Sequence, residues 1–166
     1  MFAQNILHQR GIVTAGMVAG AGAAGLAGLL AGRWLADRAG RRLTGALAMV
    51  AVALFAALAY TGSLAALLAG YILGVFAGSV FAPAAGSLVN ELFPTPVRAS
   101  VAGWSLAAGV LGAVTGLVVF GAVAGAGNRF GVAGLVTFMP AALAMVLFWL
   151  LPETRGREPE DLWPGP

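Results

Sequence analysis

The sequence has no cysteine, no lysine and a single histidine, His8, and only 9% of its 166 residues are charged. Each shortage excludes something. Without cysteine there is no disulfide framework and no thiolate metal site. With His8 alone, neither a Ser-His-Asp constellation nor a multi-histidine metal centre can be assembled, so no catalytic residue, metal ligand or cofactor is assigned and the chain is not read as an enzyme. A soluble domain carries about 25% charged residues, which excludes a water-soluble globule. The net charge of +3 comes from nine arginines against six acids. These arginines lie scattered between apolar runs and form no single patch, so nucleic acid is not an expected partner.

What remains is apolar mass. Hydrophobic residues make up 60% of the chain, about 100 residues, and the mean hydropathy is +0.94. At about 20 residues per crossing that supplies about five membrane spans. Apolar runs predict them at 11–32, 43–60, 64–89, 97–124 and 131–151, none with a charged residue in its interior. Barrel-type alternation is missing, so the fold class is an all-α integral membrane protein whose first partner is the lipid bilayer. The layout is then a short segment at 1–10, a five-span bundle at 11–151 and a polar tail at 152–166.

Arginine placement predicts the orientation. Arg33, Arg38, Arg41, Arg42, Arg98, Arg155 and Arg157 fall on one side of the bundle, and Arg10 and Arg129 on the other. Seven against two puts the segments at 33–42 and 90–98 and the C-terminus in the cytoplasm, with the N-terminus outside. Trp34, Trp104 and Trp149 fall near the same boundary, as interfacial anchors do. The Ala, Gly and Arg bias without lysine suggests a GC-rich bacterial genome, hence a bacterial inner membrane.

Small residues recur every fourth position in two spans: Gly16, Gly20, Ala24, Gly28 and Gly32 in the first, and Gly70, Gly74, Gly78, Ala82 and Gly86 in the third. Such stripes let helix backbones approach closely. They serve either a static bundle or helices that rock against one another. Pro83 and Pro140 are expected kinks.

The polar chemistry is confined to three segments. The first is Asp37-Arg38-Ala39-Gly40-Arg41-Arg42, expected within a ten-residue charged hairpin loop. The second is Asn90-Glu91-Leu92-Phe93-Pro94-Thr95-Pro96-Val97-Arg98, where Thr95 is the expected N-cap and Pro96 the first helical residue of the fourth span. The third is Pro152-Glu153-Thr154-Arg155-Gly156 with further acids behind it.

In this order and spacing, the three segments resemble the C-terminal half of a major facilitator superfamily transporter, near its sugar-porter and metabolite-symporter branches. The first is similar to the family's signature loop, here between its eighth and ninth spans, although Arg33 stands where the family usually has Gly, with Gly32 one residue earlier. The second resembles the motif joining spans ten and eleven, and PETRG resembles the end of span twelve, with Arg155 where sugar porters usually carry Lys. No sugar-recognition motif of the seventh span is present.

The resemblance implies spans eight to twelve of a twelve-span plan, so the chain is expected to be a C-terminal fragment. It implies a cytoplasmic gate, an ion-pair network of Asp37, Arg38, Arg41, Arg42, Glu91, Arg98, Glu153 and Arg155 that closes the inner side. It implies a solute cavity lined by Tyr71, Ser79, Phe81, Trp104, Ser105 and Thr115, although hydroxyls in apolar helices often bond their own backbone instead. The implied activity is secondary transport of a small solute by alternating access. The alternative is a non-transporting fragment, or a half-transporter subunit that pairs with an N-terminal bundle in trans.

Overall fold

In hydrocarbon each backbone amide must be satisfied within its own segment, so apolar runs of this length become helices. The computed structural model describes residues 11–125, 127 and 129–152. It contains α1 (Gly11–Ala39), α2 (Arg41–Ala59), α3 (Leu64–Leu92), α4 (Thr95–Gly125), α5 (Phe130–Leu143) and α6 (Met145–Leu150). With α5 and α6 taken together as Phe130–Leu150, five helices are long and apolar enough to cross a membrane. There is no strand among the described residues.

The expected ten-residue loop after the first span is a single residue. Residues 33–39 continue α1, because Arg, Leu and Ala are good helix formers and nothing breaks the run before Gly40. Gly40 alone joins α1 to α2, at φ 98° and ψ 153°, a conformation essentially restricted to glycine. Gly40→Ala is expected to cost about 1–3 kcal/mol, read as a lower thermal midpoint in detergent, whereas Gly22→Ala on the open face of α1 should leave the midpoint in place. The fourth span begins at Thr95 itself, with the Pro94 carbonyl accepting from the Val97 amide at 3.1 Å. Pro83 leaves α3 unbroken. Pro140 lies inside α5, where its ring nitrogen cannot donate to the Val136 carbonyl; α5 stops at Leu143, with the Ala144 amide donating to the Pro140 carbonyl at 3.1 Å, and the helix resumes at Met145.

The core is built of the smallest side chains. Ala53, Ala84 and Ala133 are fully buried, while Leu106, Leu111 and Leu117 stand exposed on the outside. This inverts the soluble pattern, because the bilayer solvates leucine and only close backbone approach holds the helices together.

Close approach follows a different line from the regular four-residue stripe. On α1 the buried positions are Ala21, Gly25, Gly28, Gly32 and Ala36. A strict four-residue step advances each position by about 40° and rolls off the contact face; the three-residue step from Gly25 to Gly28 brings the row back. Gly16 therefore meets nothing within 4 Å. At Gly28 a Cβ would lie 2.5 Å from the Phe76 carbonyl oxygen, and at Gly32 it would lie 2.5 Å from that of Val80. On the other side of α3, a Cβ at Gly70 would lie 2.5 Å from the Phe55 carbonyl oxygen of α2. Gly86, the last of the expected α3 stripe, meets nothing within 4 Å.

The helix α3 thus sits between α1 and α2. The pair α5 and α6 lies on the far side of α2, and α4 leans on α5. Among the described residues of α4, Ala124 alone is buried. Although α4 follows α3 directly in sequence, the two touch only sparsely.

Candidate functional site

Successive antiparallel helices bring the first two polar segments and the end of the fifth span to one end of the bundle, the arginine-rich end. Arg41 is its centre. The guanidinium Nη2 pairs with Glu91 Oε1 at 3.1 Å and with Asp37 Oδ1 at 3.5 Å. Nη1 also donates to the Ala36 carbonyl at 3.5 Å. One side chain of α2 therefore ties down the end of α1 and the end of α3. The Arg41 and Glu91 side chains are 17% and 23% exposed, against 64% for Asp37, so the Glu91 contact is the better shielded from solvent.

The remaining predicted residues go elsewhere. Arg38 turns outward and lies 4.5 Å above the Trp34 ring one turn back, and it forms no ion pair among the described residues. Arg42 donates to the carbonyls of Trp149 at 3.4 Å and Leu151 at 3.5 Å, and its guanidinium stacks 5.0 Å over the Trp149 ring. It thereby caps the carbonyl end of α6, where a cation also meets the negative end of the helix dipole. Arg98 donates to the Phe93 carbonyl at 3.3 Å, inside its own turn. Glu153 and Arg155 lie outside the described residues. The structure thus joins Asp37, Arg41 and Glu91, while Arg42 and Arg98 hold backbone carbonyls.

The stacking of Arg38 on Trp34 was open to sequence reasoning, since residues four apart share a helix face. The pairing of Arg42 with Trp149 spans 107 positions, and no local pattern announces it.

The six candidate cavity residues do not converge. Ser79 faces α1, with its Oγ 3.3 Å from the place of a Gly25 Cβ. Phe81 points the other way, edge-on to Phe148 of α6 with ring centroids 5.5 Å apart. Phe81 and Ser105 line a common groove, whereas Trp104 and Thr115 are exposed on α4, Trp104 at 77%. Tyr71 is about one-third exposed on α3.

At the opposite end, Tyr60 packs against Phe120 at 4.8 Å and stacks near Phe138 at 6.4 Å, beside a cavity of about 500 Å³. Thr137 lines that cavity, and its Oγ1 is buried without a hydrogen-bond partner among the described residues. Thr137 is not among the residues singled out from the sequence. The hydroxyl does not bond its own backbone.

Five apolar helices with glycine-mediated contacts, and an Asp-Arg-Glu clasp across three helix ends, define a polytopic helical membrane bundle. Residues 2–164 match the family model of the Major Facilitator Superfamily, and the chain belongs to that superfamily. It is also similar to a protein of Cupriavidus pinatubonensis (strain JMP 134 / LMG 1197) named "Probable 4-methylmuconolactone transporter", with 35% identity over 135 residues. That alignment covers 77% of this chain and 30% of the relative, so the chain spans under a third of the length of the relative that it matches.

Proposed function

We propose that this chain acts as the C-terminal bundle of a secondary active transporter, which moves a small solute across a bacterial plasma membrane by alternating access. The observation that carries this reading is Arg41 bridging Asp37 and Glu91, because a clasp across three helix ends can hold one side of a pathway shut and release it as a unit. The positive-inside bias supports a cytoplasmic position for this end. A C-terminal bundle supplies half of a midplane site. On this reading Tyr71, Trp104 and Thr115 meet solute only when an N-terminal bundle stands opposite, in the same polypeptide or in trans.

The relative's name makes 4-methylmuconolactone the first solute to test, and small organic acids and their lactones the substrate class. Asp37 and Glu91, the two acids among the described residues, both stand at the arginine-rich end, so a carboxylate that couples transport to protons would belong to the opposite bundle.

Proteoliposomes with this chain alone are expected to show no saturable uptake of the lactone. Adding the seven N-terminal spans of a family member is expected to produce saturable uptake. Saturable uptake by the chain alone would overturn the two-bundle mechanism. Failure of the combined bundles across lactones and small organic acids would overturn the substrate class.

A further inference from the structure

Because α4 leans on α5 and meets α3 only sparsely, a groove of about 700 Å³ opens between α3, the start of α4 and α6. Its walls are apolar, with Leu88 and Leu92 on one side, Ala102 and Leu106 on another and Phe148 on the third. Leu106 is 72% exposed at the groove's edge, so the groove opens outward between helices that the bilayer solvates. Its volume lies within the range of about 300–1,000 Å³ typical of ligand pockets.

Two arginines bond to residues of this groove. Phe93 and Leu151 both line the groove. The Phe93 carbonyl accepts from Arg98, and the Leu151 carbonyl accepts from Arg42. Each guanidinium is therefore one hydrogen bond away from a residue that lines the apolar slot. Arg98 Nε is buried without a hydrogen-bond partner among the described residues. The first turn of α4 beside it contains no acid, and Glu91, the nearest acid in sequence, is engaged by Arg41.

We propose that this groove binds an anionic phospholipid, with one acyl chain between α3, α4 and α6 and the phosphate at Arg98 and Arg42. Basic pockets between membrane helices suit such headgroups. The apolar slot favours a lipid over a free anion, since a free anion has no use for it. The inference rests on the membrane-spanning bundle and stands apart from the transport reading.

The test is native mass spectrometry of the full chain released from detergent, with lipids of matched acyl chains. Phosphatidylglycerol is expected to be retained about tenfold more than phosphatidylcholine. Arg98→Gln should weaken the preference, and Arg98→Lys, which keeps the charge, should preserve it and so separates lost charge from lost fold. Ala102→Trp fills the slot and should release both lipids. Glycerol phosphate, which lacks acyl chains, should not be retained. Equal retention of the two lipids by the native chain overturns the proposal, as does an unchanged preference in Arg98→Gln. Retention of glycerol phosphate makes this a free-anion site, and full retention in Ala102→Trp places the lipid elsewhere; either result also overturns it.

Discussion

Replacing Gly32 with leucine is expected to force α1 off α3 and to lower the stability of the bundle by about 3 kcal/mol, at the upper end of the usual cost of overpacking. A Cβ at Gly32 would lie 2.5 Å from the Val80 carbonyl oxygen, 2.7 Å from the Val80 Cα and 2.9 Å from the Pro83 ring. Two of these three atoms are backbone and cannot rotate away, so the added side chain must push the helices apart. The consequence is larger than in a soluble core, because lipid tails solvate the separated helices as readily as the helices solvate each other. Gly28→Leu should behave alike, since its Cβ would meet the Phe76 carbonyl oxygen at 2.5 Å. Gly22→Leu, on the same helix with nothing within 4 Å, is the control. Tryptophan fluorescence during thermal unfolding in detergent reads all three. If Gly32→Leu and Gly22→Leu melt together, α1 does not rest on α3 through this contact.

The second large effect is on transport. In the two-bundle transporter, Glu91→Gln is expected to slow uptake about tenfold, the equivalent of about 1.4 kcal/mol. The contact that is lost is the shorter and less exposed of the two Arg41 ion pairs. Asp37→Asn should slow uptake less than about threefold, because an exposed i, i+4 pair contributes only about 0.3–0.5 kcal/mol. Exchanging the charges, Arg41→Glu with Glu91→Arg, should recover part of what either single change loses. Membrane insertion is checked by the amount of protein in the membrane fraction. Equal rates for native protein, Glu91→Gln and Asp37→Asn would separate the Arg41 clasp from transport.

Hydropathy alone placed all five spans, because the energetic demand that produces them is local to each segment. Every apolar run had to satisfy its own amides in lipid, whatever packed against it. Helix ends were harder to read. Hydropathy stops at Gly32, but helix propensity continues through Arg33, Trp34 and Leu35 to Ala39, so the two criteria diverge where a helix leaves the hydrocarbon.

The small-residue stripes were visible as composition, yet their working register was not. Gly28 and Gly32 hold their expected places, but Gly25 contributes where Gly16 and Ala24 were expected, because the face a helix presents depends on what it crosses. The polar cluster shows the same division. Asp37 and Arg41 are one turn apart and were legible as neighbours. Which acid reaches Arg41 from α3, and that Arg42 caps α6, follow only from the way α1, α3 and α6 gather around α2.

Residue-by-residue energetics already make this protein a bundle of about five membrane helices whose charges cluster at one end, since burial of apolar residues and the lipid's intolerance of unpaired amides act on each segment alone. Tertiary structure decided which glycines touch and which arginine becomes the clasp. It also decided that α4 stands away from α3 to open a groove. These are properties of helix pairs, and backbone approach within van der Waals distance depends on crossing geometry that no single run of residues encodes.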